Sequence, residues 1–306
     1  MTKPVIPGLH HVTAISGPAQ ANVDFYTGTL RQRLVKKTVN FDAPDTYHLY
    51  YGDDVGSPGT ILTFFPFADA GPGRAGPGMA SAYAYAVPKG GFDAWMDRLA
   101  LHAEDYDGPS ERFGQRVITL RDADGAPVEL VETDRAGDAP LDGFHSVTLW
   151  ERDPGPTARL LTEAFGYREQ GHEADCGIER LRLAAPGAER GNIIDLIRTD
   201  APAKARPGAG TIHHVAFRAR SDSEQRDWQE VLAACGHPTT PVIDRQYFNA
   251  IYFREPGGVL FEIATDPPGF AVDEPVETLG QALKLPAKYE AMRDRITQIL
   301  PPLKVA

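Results

Sequence analysis

Cysteine is scarce in this sequence: Cys176 and Cys235 are the only two among 306 residues, and they share no metal-binding or redox spacing. A chain of this length can bury its cores without a disulfide, so we expect both thiols to be reduced. No apolar run is long enough to cross a bilayer, and residues 1–4 lead into the first predicted strand without the features of a secretory signal. These absences predict a cytoplasmic protein that does not insert into a membrane.

Positive charge is also in deficit. Lys and Arg number 31 against 42 Asp and Glu, which gives a formal net charge of −11. Such a chain repels nucleic acid and anionic membrane surfaces, so we expect neither as a partner. Hydrophobic residues make up 42% of the chain, enough to fill the cores of two domains. The composition predicts an acidic globular protein with a small-molecule partner, and it leaves open whether the protein forms a homo-oligomer.

One order of predicted elements, a strand, a helix and three strands, recurs four times along the chain. We place these modules and the tail that follows them at 5–70, 79–134, 142–200, 209–268 and 269–306. The tail contains one predicted helix, from 286 to 300, that docks on the body. A single module cannot bury its sheet face alone, so modules must pair. The predicted fold class is α+β, with four tandem βαβββ modules paired into two barrel-like domains and a C-terminal helical tail.

Two segments between modules are rich in turn residues. Residues 71–78, with the sequence Gly-Pro-Gly-Arg-Ala-Gly-Pro-Gly, suit neither helix nor sheet, and we interpret them as a linker rather than an active-site lid. Residues 133–140 are polar and turn-rich, and they are the clearest domain boundary in the sequence.

A pair of adjacent histidines opens the first and the fourth module, in the strings Leu-His-His-Val-Thr and Ile-His-His-Val-Ala. Neighbouring side chains of a strand point to opposite faces, so one histidine of each pair can enter a shared site. His11 and His214 share their faces with the more polar neighbours, and we assign them to the inner face. His10 and His213 are expected on the outer face, packed against a helix, unless a bulge in the strand redirects them.

Glu262 lies at the centre of the last strand of the fourth module, where an unpaired charge would be costly. Two imidazoles and one carboxylate can hold a metal as a facial triad, which leaves three positions open for substrate and dioxygen. The alternative is that each strand histidine is a hydrogen-bonded core residue. The recurrence of the pair in one register favours the metal site, which requires module 1 to pair with module 4 and module 2 with module 3.

The two middle modules lack the ligand histidine. Ser146 stands opposite His11 in the third module, while Glu129 and Asp195 occupy the positions equivalent to Glu262. Without strand histidines beside them, these two carboxylates are expected to make ordinary hydrogen bonds or salt bridges. We therefore expect one metal site per chain.

Further motifs accompany the histidine pairs: Asp-Arg-Gln-Tyr-Phe at 244–248, Ile-Tyr-Phe at 251–253, and Glu-Pro-Gly-Gly at 255–258 leading to Phe-Glu-Ile at 261–263. With them the chain resembles the vicinal oxygen chelate superfamily, and more closely its ring-cleaving dioxygenases of the hydroquinone and chlorohydroquinone type. The resemblance extends from residue 7 into the tail. Catechol-cleaving relatives place their metal in the C-terminal pair of modules, where this chain has Ser146, whereas the hydroquinone group uses the first and fourth.

The resemblance implies a non-haem Fe(II) enzyme, with Mn(II) as the alternative metal, in which the ligands are His11, His214 and Glu262. This set agrees with the assignment from strand faces. The implied reaction opens the ring of an aromatic diol with O₂, beside a hydroxyl-bearing carbon. A metal lowers the pKa of a bound hydroxyl, so the diol would bind in a deprotonated form.

The resemblance also places Arg245 and Tyr252 near substrate and oxygen, with His10, Thr13 and His213 in support. Tyr252 would donate or relay a proton, and Arg245 would stabilise developing negative charge. From the residues alone, Arg245 fits a surface ion pair equally well, and Tyr252 fits a half-buried strand aromatic.

Two other functions are compatible with the same fold. One is a glyoxalase-like metal-dependent isomerase or a glutathione or thiol transferase, although such relatives often use more carboxylate-rich ligand sets. The other is a metal-free protein that binds an aromatic ligand, against which the presence of both histidines and Glu262 argues.

Overall fold

The structure is a computed structural model, and it describes residues 4–102, 104–200 and 204–305. These residues form sixteen strands, numbered in chain order: β1 Leu9–Ser16, β2 Arg33–Asn40, β3 Ala43–Gly52, β4 Ile61–Pro66, β5 Met79–Val87, β6 Tyr106–Arg112, β7 Gln115–Arg121, β8 Pro127–Glu132, β9 Phe144–Trp150, β10 Arg168–Asp175, β11 Ile178–Ala184, β12 Ile193–Thr199, β13 Thr211–Ala219, β14 Ile243–Asp244, β15 Phe248–Arg254 and β16 Leu260–Pro268.

The helices of the described residues are short. The α-helices are α1 Ala19–Val23, α2 Phe92–Leu101, α3 Pro154–Arg159, α4 Asp222–Ala234, α5 Ala287–Glu290 and α6 Arg293–Ile299. π-Helical turns at Asp24–Thr29 and Leu160–Ala164 continue α1 and α3, and 3₁₀ turns lie at Phe270–Val272 and Val276–Thr278. None of the helices within the described ranges is both long enough and apolar enough to span a bilayer.

Two eight-stranded sheets, each curled into a half-barrel, make up the body. The first has the strand order β14-β15-β16-β13-β1-β4-β3-β2, and the second has the order β10-β11-β12-β9-β5-β8-β7-β6. The first sheet thus joins strands from the two ends of the chain, with β1 antiparallel to β13 at its centre. The fold confirms the α+β class, the four paired βαβββ modules and the helical tail.

Helix α4 shows how local sequence sets one of these elements. Ser221 accepts a hydrogen bond from the Glu224 backbone N–H (3.2 Å), which satisfies one of the free donors at the helix start. Trp228 and Leu232 are fully buried on its inner face. Gly236, just beyond the helix, has φ of +82°, a value that glycine adopts without steric cost. The helix packs on β13, β15 and β16 and so supports the centre of the first sheet.

The chain crosses from the first sheet to the second between β4 and β5, and returns between β12 and β13. The two crossings touch, because Pro72 forms a bridge with Ala209. Residues 71–78 are therefore a linker, as predicted. The boundary predicted at 133–140 is wrong: this segment joins β8 and β9, which belong to the same sheet. Its polar, turn-rich composition reflects a mostly exposed loop.

The tail docks on the body, but the single helix predicted from 286 to 300 is wrong. The chain turns between α5 and α6, and one hydrogen bond from each helix fixes the turn. The Tyr289 hydroxyl donates to the Phe41 carbonyl (2.8 Å), and the Arg293 guanidinium donates to the Leu283 carbonyl (3.0 Å). The fully buried Lys36 also pairs with two carboxylates at the start of the tail, at 2.7 and 2.9 Å.

Candidate metal centre

Three buried side chains converge on the first sheet. His11 Nε2 lies 3.2 Å from His214 Nε2, and Glu262 Oε2 lies 3.4 Å from the former and 2.9 Å from the latter. Within the described ranges, this is the single group of three or more His, Cys, Asp or Glu side chains close enough to share a metal ion. The structure therefore brings together the three residues that the sequence suggests as ligands.

The position of these residues follows from strand pairing. They lie on β1, β13 and β16, which are consecutive neighbours in the sheet. His214 is the cross-strand partner of Thr13, and Glu262 is the partner of Ala216. His11 thus meets His214, 203 residues further along the chain, because the first and last modules share one sheet.

The outer-face position predicted for His10 is wrong. The register of β1 against β13 passes from Leu9 directly to His11, so His10 is the extra residue of a β-bulge. Its ring lies 5.2 Å from that of Phe248, and the His11 ring lies 4.9 Å from the same side chain. The bulge therefore turns both histidines toward the same side of the strand.

A second bulge corrects the prediction for His213 in the same way. On β13, His214 pairs with Thr13 and Ile212 pairs with Ala14, which leaves His213 as the extra residue. His213 lines the cavity beside the metal centre, with its ring 5.9 Å from that of Phe65.

Each bulge joins the two histidines of a pair through their Nδ1 atoms, at 2.9 Å for His10 and His11 and 2.8 Å for His213 and His214. A histidine that binds a metal through Nε2 carries its ring proton on Nδ1, and in that form His11 donates to His10 Nδ1. The lone pair of His11 Nε2 is then directed at Glu262, as a metal ligand requires.

The charges at the site call for a cation. Burial raises the pKa of Glu262, but its close contacts with His11 and His214 bring that pKa well below its usual value. Burial lowers the pKa of His214, however, so this imidazole resists carrying a proton. The Glu262 carboxylate is fully buried, and its closest polar neighbours are the two imidazoles, with His214 Nε2 at 2.9 Å and His11 Nε2 at 3.4 Å. A metal ion would supply the positive charge without protonating either histidine.

The spacing of the three atoms also fits a metal. They lie 2.9 to 3.4 Å apart. Two bonds of about 2.1 Å at a right angle place their ligand atoms about 3.0 Å apart. The donor set therefore fits three mutually adjacent positions of an octahedral divalent metal, with the remaining positions open.

A cavity of about 380 Å³ adjoins the metal centre. Its apolar wall includes Phe41, Phe65, Phe67 and Phe248. Phenylalanine rings offer flat faces and edges to another aromatic ring. The size of the cavity lies at the lower end of the range for small-molecule sites, so it suits a ligand of about one ring.

Arg245 and Tyr252 lie together in this cavity. Arg245 Nε donates to the Tyr252 hydroxyl (3.2 Å), and Arg245 also pairs with Asp42 at the exposed rim (3.1 Å). The Tyr252 ring lies 5.8 Å from that of His214. Arg245 therefore does more than form a surface ion pair. It also donates a hydrogen bond to the phenol hydroxyl of Tyr252, which lies beside the candidate metal centre.

Thr13 and His48 form part of another wall. Thr13, two residues after His11, places its hydroxyl 2.8 Å from that of Thr63. His48 lines the cavity and was missed in the sequence analysis. No pattern within its own strand marks it, because its hydrogen-bond partner Thr63 lies on the neighbouring strand.

The second sheet has no comparable metal group among its described residues, and ion pairs occupy the equivalent positions. Arg112 binds both oxygens of Glu129 (2.7 and 2.9 Å). Arg182 binds Asp195 in the same way (2.8 and 2.9 Å), with Arg180 at 3.1 Å. This confirms the prediction of ordinary salt bridges at both carboxylates.

Comparison with known proteins agrees with this fold. Residues 8–130 and 143–263 match the model of the Glyoxalase/Bleomycin resistance protein/Dioxygenase superfamily. The chain belongs to this superfamily, which confirms the resemblance that its motifs indicate. The two matched segments cover modules 1 and 2 and modules 3 and 4.

Three similar proteins define the relationship further. The chain is 47% identical to a Bacillus subtilis protein named "Putative ring-cleaving dioxygenase MhqO", over 97% of each chain. It is 34% identical to the "Chlorohydroquinone/hydroquinone 1,2-dioxygenase" of Sphingobium indicum, over 96% of each chain. A crystal structure described as a putative dioxygenase from Bacillus subtilis superposes with a TM-score of 0.92 at 46% identity, over 99% of each chain.

Proposed function

We propose that this chain is a non-haem Fe(II)-dependent dioxygenase that uses O₂ to open the ring of a hydroquinone-type aromatic diol. The observation that carries the proposal is the buried triad of His11, His214 and Glu262 beside an aromatic cavity. Two histidines and one carboxylate with open positions are typical of non-haem Fe(II) oxygenases. The names of the relatives support ring cleavage and a hydroquinone-type substrate.

His11, His214 and Glu262 would hold the metal, with Fe(II) favoured and Mn(II) as the alternative. When bound, the metal would supply Lewis acidity toward a diol hydroxyl and adjacent positions for substrate and O₂. His10 and His213 would hold the ligand rings in place through the Nδ1 contacts, which fix the orientation of each ring.

The cavity walls would bind and orient the diol. The Phe248 ring packs against His11, so a substrate ring beside the metal would meet an aromatic surface. The phenylalanine-rich wall would also limit water around the reacting atoms, which strengthens electrostatic interactions there.

Tyr252 is the group best placed to donate a proton. Burial, followed by the charge of Glu262, raises its pKa well above the usual value, so its hydroxyl keeps the proton at neutral pH. Arg245 donates to the same oxygen, which makes the phenol a better proton donor when negative charge develops nearby. The Arg245 guanidinium would itself stabilise that charge, while Asp42 holds it at the rim.

Oxygen uptake tests the proposal. Metal is removed with a chelator, Fe(II) is restored without oxygen, and uptake is followed with hydroquinone, chlorohydroquinone and catechol. We expect uptake that requires the metal and is fastest with a hydroquinone. Restoration with Mn(II) distinguishes the two metals. Absence of uptake with all three diols would overturn the proposal. A cytoplasmic location, and the lack of nucleic-acid and membrane partners, stay predictions from composition.

A further inference from the structure

Four hydrogen-bonded side chains lie across one wall of the cavity, on β1, β4 and β3. Thr13 Oγ1 lies 2.8 Å from Thr63 Oγ1, which lies 2.9 Å from His48 Nε2. His48 Nδ1 then lies 2.8 Å from the Tyr50 hydroxyl. Thr63 is the cross-strand partner of both Thr13 and Tyr50, so strand pairing itself builds this chain.

The His48 ring is held firmly in this chain. Its centroid lies 4.1 Å from that of Tyr50 and 4.3 Å from that of Phe65, so it is packed between two aromatic rings. Both ring nitrogens have a hydrogen-bond partner. Burial lowers the pKa of His48 well below its usual value, so the ring is neutral, with one donor nitrogen and one acceptor nitrogen.

The burial of Tyr50 sets the direction in which these four side chains donate their hydrogen bonds. Its side chain is 1% exposed, and the partner of its hydroxyl is His48 Nδ1. A buried hydroxyl must donate its proton, so Nδ1 accepts and Nε2 carries the ring hydrogen. Nε2–H donates to Thr63, and the hydroxyl of Thr63 therefore donates to Thr13. The Thr13 oxygen accepts this bond, and its own hydrogen is left to point into the cavity.

We propose that His48 is a positioning residue. Through Thr63, it orients the Thr13 hydroxyl so that this group donates a hydrogen bond into the cavity. The inference rests on the proposed function, because the acceptor of this hydrogen bond would be a deprotonated oxygen of the bound diol. Thr13 is two residues from His11 on the same strand, so its donor lies beside the metal centre. A hydroxyl that can only donate favours an anionic oxygen over a neutral one.

Substitutions within this series of hydrogen-bonded side chains test whether it contributes to turnover. His48→Phe keeps a flat ring for packing and removes both nitrogens, and Thr63→Val breaks the link while His48 stays. We expect each to lower kcat/KM for hydroquinone by ~10- to 100-fold, with Fe(II) affinity unchanged. Thr63→Ser keeps the hydroxyl and should restore activity. His172→Phe is the control, because His172 is an exposed residue paired with Glu169, and its activity should match the unmodified enzyme.

The double variant His48→Phe/Thr63→Val distinguishes positioning from separate structural damage. If both residues act through one chain, the second substitution causes little further loss. Independent losses that multiply would overturn the proposal, as would a Thr63→Ser variant no more active than Thr63→Val.

The tautomer of His48 can be read without turnover. In metal-free protein labelled with ¹⁵N in its histidine rings, the His48 signal is assigned by its loss in His48→Gln. We expect the Nε2–H form, and a mixture of the two tautomers in Tyr50→Phe. An Nδ1–H form in the unmodified protein would overturn the inference. Because this measurement needs neither metal nor substrate, its result stands even if the protein does not cleave diols.

Discussion

His10 Nδ1 lies 2.9 Å from His11 Nδ1, although regular strand geometry would direct these neighbouring side chains to opposite faces. The β-bulge at His10 produces this contact, and an equal bulge joins His213 to His214. Each histidine pair therefore consists of one candidate ligand and one residue that orients it.

The two histidines of the first pair should respond differently to substitution. His11→Ala removes the Nε2 lone pair and should abolish Fe(II) binding. His10→Ala removes only the acceptor for the His11 Nδ1 proton and should weaken binding by ~10- to 100-fold. Competition with a chromophoric chelator measures both affinities. Loss of binding in His10→Ala, with binding retained in His11→Ala, would show that the ligand assignment is reversed.

Glu262→Gln should remove the metal, because a neutral amide cannot supply the negative charge that the buried site offers. The matched control is Glu129→Gln, which makes the same change at the equivalent strand position of the second sheet, beside Arg112. We expect one equivalent of iron in the control and none in Glu262→Gln, measured by elemental analysis after reconstitution and desalting. Equal iron contents would exclude Glu262 as a ligand.

Tyr252→Phe should lower kcat by ~100-fold, the range for loss of a positioned acid, with Fe(II) affinity unchanged. The ring and its contact with His214 remain, so the cavity should keep its shape. Steady-state kinetics with hydroquinone give kcat and KM separately. A rise in KM with kcat unchanged would indicate that Tyr252 binds the substrate without donating a proton.

Glu151 should make stability depend on pH. It is buried against Gly257, where a Cβ would lie 1.7 Å from its Oε2. Burial, followed by the charge of Glu255, raises the pKa of Glu151 to about 8. The unfolded pKa is about 4.3, so between these values the folded chain holds a proton that the unfolded chain has lost. Stability therefore falls as the pH rises through this window and levels off above it.

Glu151→Gln should remove most of this fall. We expect the variant to gain on the order of 3 kcal/mol over the unmodified protein between pH 5 and pH 9. Urea unfolding of both proteins at pH 5, 7 and 9 measures the difference. Parallel pH dependences would mean that Glu151 does not hold its proton in the folded state.

The repeated order of elements made the fold predictable, since each module carries apolar strands and turn signals at similar spacings. The salt bridges of Glu129 and Asp195 were predictable for a related reason. A carboxylate at a buried strand position needs a partner, and these two lack the histidines that accompany Glu262.

The orientation of His10 and His213 could not be predicted from alternation. A bulge adds one residue to one strand relative to its partner, and so it depends on the register between β1 and β13. The partners lie about 200 residues apart in the sequence, where no local pattern records their register. The same dependence on strand neighbours concealed the role of His48, whose partner Thr63 lies on the adjacent strand.

The local sequence gives little sign of two strands of the second sheet, because they lie at its edges. β6 and β10 are the terminal strands of the sheet, and their residues are mostly exposed on both faces. Such strands carry no alternation of apolar and polar residues. A turn at Phe113 and Gly114, where φ is +47° and +71°, separates β6 from β7.

Incorporation of ¹⁸O from ¹⁸O₂ tests the central claim most directly. The Fe(II) protein is mixed with hydroquinone under ¹⁸O₂. The ring-opened product is trapped before it exchanges oxygen with water, and its mass is measured by mass spectrometry. The account predicts a product that carries two ¹⁸O atoms, formed by the unmodified protein and not by Glu262→Gln. A product with an intact ring, or one without ¹⁸O, would contradict it.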